Sequence, residues 1–473
     1  MNTSIEKIDY QSLIETTGDP FADVGGYVIK YLSNQDDFKD NNLLEIIEKI
    51  AKIYVNDWNA GLHAFFLNST ITQAAYDNNK KLIETLNFYK GLINETIPFQ
   101  SGYCRISGKK TKLFSAGRDN HILSGSGTFI NFHHSFEAGI YLSKEVLIRI
   151  FFIPFGLVQL GDKVALINSN YELVSQYFAH LNTAKNFQEL GAKQSKSVLK
   201  SEFNQPSNAM FGFADKCIQN IKTALGDEAE IEKKDVMLNL YHFTNFAAKP
   251  EVELYQLPAN VFKFYSYCLS PLLQTDWKNF VYAHYRNSKV KEGKFNEQTG
   301  EWQDQKDSFS YDRFKTWRNL IYDKLLFNQS ILREILNWSI KHRFNFKIVE
   351  TYQIRLKNMD KKTIEKIKEL ADFIVIDRDE DTIKKSITRL NGEKSSQGLR
   401  QYLLKLIADN YNKGVQKPLI TLEEFVSYLF PDGTNWRELR DLLLIAIYQK
   451  LHETNIKVEV EITEEDTEPQ NLN

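Results

Sequence analysis

The 473 residues suffice for two or three domains at roughly 150 residues each, with cores large enough to fold without covalent staples. Hydrophobic residues at 42% and charged residues at 25% lie close to globular averages, which excludes wholesale disorder, collagen and an extended coiled coil. Lys and Arg number 59 against 61 Asp and Glu, a formal charge of −2, so the molecule is no polyanion binder by bulk charge.

The first thirty residues hold Asp9, Glu15, Asp19 and Asp23 and no continuous apolar run, so no signal peptide is expected. Asn42 precedes Leu43, Ile46, Ile47, Ile50, Ile53 and Tyr54, a helical stripe with an amide placed to cap its first turn. Between Gln100 and Gly161 the chain turns to Gly, Ser and aromatic residues with short apolar runs, which predicts strands and long loops. The most apolar stretch, Val146 to Val158, is 13 residues long and interrupted by Arg149 and Pro154. A bilayer needs about 20, so no membrane span is expected.

Residues 182–234 are polar and read as a connection with its own helical patches, such as Ala214 to Leu225. Tyr241, His242, Phe243, Phe246, Tyr255, Phe262, Phe264, Tyr265 and Tyr267 then form an aromatic block, with a strand and turn over Val252 to Pro258. Such a block offers stacking surfaces to bases, but at this spacing it reads better as core. The polar insert 287–308, with Gly293 and Gly300, predicts an exposed loop. From Lys347 to Glu453 the pattern is helical. Thr421 with Glu424, and Asn435 with Glu438, have capping-box spacing, and Gly414 follows the stripe Leu399, Tyr402, Leu403, Leu406, Ile407 where a left-handed terminus is expected.

These elements predict a multi-domain α+β protein. A mixed N-terminal domain covers 1–180, a mixed middle domain with the aromatic core covers 181–350, and a helical bundle with an acidic tail covers 351–473. Residues 453–473 carry seven acidic side chains and one Lys, a net of −6, which leaves +4 for the body. Lys341 to Lys405 holds 16 basic and 10 acidic residues, room for an anionic partner along one face. Cys104, Cys217 and Cys268 form no CxxC pair and leave one over after any pairing, which points to a reducing, cytoplasmic compartment.

Few catalytic patterns fit. Gly102 to Thr111 approaches a phosphate-binding loop, but its spacer has five residues and Lys110 stands where Ser or Thr would bind magnesium. No GxSxG, HExxH or GxGxxG motif occurs. His133 and His134 are adjacent, so on a strand they face opposite ways and cannot share one metal. Asp19 and Asp23 have a spacing that pairs carboxylates on a metal, although Asp19 before Pro20 also suits a helix start. The small-residue loop Ser124-Gly125-Ser126-Gly127-Thr128 allows close approach to a phosphate or base edge, and it follows Lys109, Lys110, Lys112 and Arg118. A glycine-serine hairpin beside solvated lysines accounts for the same residues.

Several stretches carry a resemblance: Thr17-Gly18-Asp19-Pro20-Phe21-Ala22-Asp23-Val24-Gly25; Gly102-Tyr103-Cys104-Arg105-Ile106-Ser107-Gly108; Asn131-Phe132-His133; Ala138-Gly139-Ile140-Tyr141-Leu142-Ser143; and Ile153-Pro154-Phe155-Gly156. With Tyr241 to Asn245, Tyr255 to Pro258 and Ile420 to Leu451, they resemble the large subunit of the type I-B CRISPR surveillance complex, Cascade. Many members carry two CxxC pairs. Here Cys104 stands alone, Ser107 occupies its partner position, and Leu142, Ser143, Lys144 and Glu145 stand where the second pair belongs. One thiolate cannot build a tetrahedral zinc site, so no zinc or other cofactor is expected, and Phe114, Phe129 and Phe132 are available to hold the knuckle by packing.

The resemblance implies a non-enzymatic subunit that sits with crRNA, the Cascade backbone and the repeat-processing subunit. It would read the protospacer-adjacent motif on target double-stranded DNA, help open the strands and recruit a helicase-nuclease. Guide pairing reads sequence in such systems, so the protein need grip only a few base pairs and the backbone. On the N-terminal loops the expected contacts are Lys109, Lys110, Lys112, Arg118, Asn120, Ser126 and Asn131. On the bundle they are Lys384, Lys385, Arg389, Lys394 and Arg400, which would follow the opened strand or else form an ordinary solvated helix surface. Some relatives make a small subunit by internal initiation, and Met359 opens a 115-residue segment suited to that. The alternative is a metal-dependent nuclease using Asp19, Asp23 and His133 or His134; a purely structural assembly protein is a third option.

Overall fold

The computed structural model describes residues 7–58, 62, 65–66, 69–117, 119–121, 140–225 (backbone only for 221–225), 233–243, 251–290, 292–304, 307–376, 378–433 and 435–458. The protein is a mixed α+β chain with several small sheets and a helical C-terminal region. It divides into two compact units, Met1–Ala259 with Asp312–Arg318, and Asn260–Tyr311 with Asn319–Asn473. The boundary at Ala259 falls inside the segment that composition groups as a middle domain. Among the described residues no helix is long and apolar enough to cross a membrane.

In the first unit, α1 (Tyr10–Ile14) leads into α2 (Pro20–Leu32), which starts where Asp19 accepts the Ala22 N–H at 2.8 Å and Pro20 fills the first turn. α3 (Leu43–Asn56) carries the full Asn42/Glu45 capping box and buries the predicted stripe. α4 (Asn78–Asn94) ends at Glu95, which adopts a left-handed φ of 59°. β1 (Gln100–Tyr103), β2 (Lys110–Ala116) and β3 (Ile140–Leu142) form an antiparallel sheet, followed by α5 (Lys144–Phe152). A Cβ at Gly25 would collide with the Arg149 carbonyl, so glycine lets α2 and α5 meet backbone to backbone.

The polar stretch after 182 is not a mere connection. α6 (Glu172–Gly191) buries Asn182 and Asn186, whose amides donate to the Gly156 and Phe155 carbonyls at 3.0 and 2.9 Å. Those carbonyls belong to the short 3-10 turn Ile153–Gly156, where buried acceptors need donors, and the Thr183 hydroxyl adds a longer bond to Phe155 at 3.5 Å. Trp58, Phe155 and Phe187 stack beside it with centroids 4.7 and 4.8 Å apart, each fully or largely buried ring contributing about 1.5–3 kcal/mol of transfer free energy. A four-stranded antiparallel sheet, β4 (Val158–Leu160), β5 (Lys163–Ser169), β6 (Leu238–Phe243) and β7 (Val252–Leu257), packs against α6 and α7 (Pro206–Leu225).

The second unit begins with α8 (Ala259–Cys268) and α9 (Gln274–Ala283), where Phe262, Phe264, Tyr265 and Trp277 are core. The insert 287–308 is not a plain exposed loop: β8 (Lys294–Asn296), β9 (Glu301–Gln303) and β10 (Ser308–Phe309) pair antiparallel. Trp302 makes the difference, since its ring is buried and its indole N–H donates to the Tyr282 carbonyl at 2.9 Å. The bundle comprises α10 (Leu320–Leu326), α11 (Leu332–Ser339), α12 (Phe346–Lys357), α13 (Lys361–Val375), α14 (Glu380–Gly392), α15 (Ser396–Asn412) and α16 (Trp436–Thr454).

The central turns of α16, Leu442 to Tyr448, are buried on every side, and the helix packs against α11, α13, α14 and α15. Thr421 and Glu424 complete their capping box ahead of a single π turn, Phe425–Leu429, and Gly414 is left-handed at φ 72°. Asn435 caps α16 through the Arg437 N–H at 3.2 Å instead of through Glu438, so that box is not formed.

Candidate nucleic-acid interface

The β1–β2 hairpin presents the N-terminal lysines. Its turn closes through Cys104 N–H to the Lys109 carbonyl at 2.9 Å and Gly108 N–H to the Cys104 carbonyl at 2.8 Å, with Gly108 at φ 66°. The Cys104 side chain is buried, and the Ser143 N–H approaches its sulfur at 3.4 Å. Burial opposes ionisation of that thiol, yet hydrogen bonds from Ser107 and from the Ser107, Ser143 and Ile106 N–H groups outweigh it and set the thiol below its ordinary range. The knuckle is thus held by backbone hydrogen bonds; of the three rings expected to pack on it, Phe114 is buried against Phe99, and Phe129 and Phe132 lie outside the described residues. Among the described residues no three His, Cys, Asp or Glu side chains come together as a metal cluster.

The lysines of the hairpin differ in state. Lys109 donates to Ser12 Oγ at 2.8 Å and pairs with Glu15. Lys112 pairs with Glu95 and lies 4.6 Å from the Phe99 ring centre; Lys144 reaches the other oxygen of Glu95 at 2.7 Å. Hydrogen bonds from Lys112 and Lys144 hold the Glu95 carboxyl below its ordinary range. Lys110 is exposed, and among the described residues it makes no ion pair. Asn120 is buried: its carbonyl accepts the Gly117 N–H at 2.8 Å and its amide donates to the Ser115 carbonyl at 3.0 Å, so it holds its own loop. Arg118, Ser126, Asn131, His133 and His134 lie outside the described residues.

Asp119 lines a cavity of about 110 Å³ walled by Phe66, Phe88, Tyr89 and Phe151. Its one ionisable acid makes it unsuited to a phosphate.

Asp19 and Asp23 are taken by structural partners. Asp19 caps α2, and Asp23 accepts from the Thr17 N–H and hydroxyl, both at 2.7 Å, from the Gly18 N–H at 3.0 Å and from Arg149 at 3.3 Å. These bonds give both carboxylates structural roles at the start of α2, with Asp23 Oδ1 taking three of its four donors and Oδ2 one.

On the bundle, Lys384, Lys385 and Lys394 are exposed, with Lys385 close enough to Asp379 to help lower its pKa. Arg389 reaches Glu393 at 3.4 Å and lies over the Tyr402 ring at 5.3 Å. Arg400 lies over the Phe430 ring at 4.8 Å. Three further exposed cations, Lys405, Lys413 and Lys417, stand beside Arg400 in sequence but outside the set expected to meet nucleic acid. The signal for them is a local charge excess: residues 397–418 contain four cations and a single acid, Asp409.

Residues 337–473 match the family model described as the DevT C-terminal domain, a Cascade-associated family. The match starts inside α11 and covers α12 to α16, the stretch that carries these cations. No curated protein and no solved structure matches the chain.

Proposed function

We propose that this chain is the non-catalytic large subunit of a type I-B CRISPR RNA-guided surveillance complex. It reads the protospacer-adjacent motif on duplex DNA, assists strand opening and recruits a helicase-nuclease. The observation that carries the reading is the match of residues 337–473 to the Cascade-associated DevT C-terminal domain. The charge pattern supports it: cations without carboxylate partners stand on exposed surfaces, where a phosphate backbone can replace their counterions. A nuclease built on Asp19 and Asp23 gains no support, because the helix cap and the buried Arg149 pair account for both carboxylates as structural groups.

The partners in this reading are crRNA, target DNA, the backbone and repeat-processing subunits, and a small subunit started at Met359. Met359 follows the left-handed Asn358 that ends α12 and precedes Asp360, the cap of α13, so initiation there would begin at a helix boundary. Such a product would lack α11, whose Ser339 carbonyl bonds His452 of α16 at 2.8 Å. Mass spectrometry of the purified assembly tests this: a species of residues 359–473 is expected, and a small-subunit position filled by another gene product would refute it. For the whole reading, mobility shift of duplex DNA by the reconstituted assembly is the test, with motif-dependent binding expected.

A further inference from the structure

α15 buries Leu399, Tyr402, Leu403 and Leu406. At 100° per residue, Arg400, Leu404 and Tyr411 fall on a separate stripe well away from that core. Leu404 is 54% exposed and Tyr411 80% exposed. A single exposed apolar residue needs no explanation, but the surroundings of these two do. The one carboxylate of α15, Asp409, is only partly exposed and makes no ion pair among the described residues. Among the described residues Arg400, Lys405, Lys413 and Lys417 make no ion pair, in contrast with Lys109 and Lys112. Arg400 and Lys413 rest instead over the rings of Phe430 and Phe373, at 4.8 and 5.0 Å, which fixes their position and leaves their charge intact.

We propose that this surface is a platform for single-stranded nucleic acid: the Tyr411 ring stacks on an unpaired base, Leu404 covers the neighbouring unit about 10 Å along the helix, and Arg400, Lys413 and Lys417 take the phosphates. A base paired within a duplex hides its face, so a stacking ring selects opened strands. The excess of unpaired cations favours a polyanion over an apolar protein partner. The proposal rests on the reading of this chain as a nucleic-acid-binding subunit and adds to it the residue that meets a base.

The test is fluorescence anisotropy of the full chain, and of the assembly containing it, with a labelled oligothymidine and with a duplex of equal length. Tyr411→Ala should weaken oligothymidine binding by roughly 5- to 150-fold and leave the duplex unchanged, whereas Tyr411→Phe should bind as the native chain does. Lys413→Gln with Lys417→Gln should lower the logarithmic salt slope by about 0.7 for each lysine–phosphate pair removed. Thermal melting checks that these exposed substitutions leave the fold intact. Unchanged oligothymidine affinity in Tyr411→Ala, equal loss on duplex and single strand, loss shared by Tyr411→Phe, or a defect in subunit assembly alone would each overturn the platform while leaving the broader reading in place. If the native chain binds no polynucleotide even within the assembly, the broader reading fails and the platform with it.

Discussion

Arg149 Nη1 lies 3.3 Å from Asp23 Oδ1, with Arg149 fully buried and Asp23 only 6% exposed. The same guanidinium donates to the Ser12 carbonyl at 2.6 Å and to the Glu15 carbonyl, so one side chain ties the segment before α2 to α5. Removing Asp23 strands a buried charge. Asp23→Ala is therefore expected to cost about 3–5 kcal/mol in chemical denaturation, and a comparable urea midpoint in variant and native protein would contradict the assignment.

The hairpin lysines should separate by function. Lys110→Ala is expected to lower the logarithmic salt slope of DNA binding by about one unit. Lys109→Ala and Lys112→Ala remove partly exposed ion pairs, each with a stability effect of about 0.2–1 kcal/mol and a smaller effect on that slope. Salt titrations of the three single variants, paired with thermal melts, check this ordering; equal slopes in all three would contradict it.

His284 should make the second unit acid-sensitive. Burial pushes its pKa down to about 4, and its Nδ1 faces the Phe280 carbonyl at 2.6 Å in the direction of a donated N–H. The native state then holds it neutral while the unfolded chain takes up a proton below about 6.5. Stability is expected to be flat above about pH 6.5, to fall by about 3 kcal/mol in all as pH drops towards 4, and to level off below that. Denaturation midpoints across this window, compared with His284→Gln, measure it; an unaltered pH profile in the variant would show that other groups carry the dependence.

The Cys104 knuckle needs no ion to close, because its backbone hydrogen bonds and the Ser143 N–H supply the constraint. Treatment with a strong chelator is expected to leave the melting temperature unchanged, while Cys104→Ala leaves that buried N–H without its acceptor and costs about 1–3 kcal/mol. A chelator-induced fall of several degrees would point to a bound metal.

Local chemistry was legible in the sequence wherever one residue decides it. Asn42 before an apolar stripe, Asp19 before Pro20, Thr421 three residues ahead of Glu424, and Gly414 beyond a stripe each correspond to the observed cap or turn. Long-range partners were not legible. Asn182 and Asn186 look like solvated amides until the turn Ile153–Gly156 places two carbonyls beside them, and the polar insert hides the Trp302 anchor. The same limit governs the interface. Lysine clusters can be counted, but that Glu15 and Glu95 neutralise two of them, and that Asn120 faces inward, depends on residues brought together only by the fold.

The most direct measurement is binding and cleavage of duplex DNA by the crRNA-loaded assembly with and without this chain. The account predicts that adding the chain confers tight binding to motif-bearing duplex alone, and that phosphodiester cleavage begins only when the helicase-nuclease is supplied. Magnesium-dependent cleavage by the purified chain, or identical motif discrimination in its absence, would contradict it.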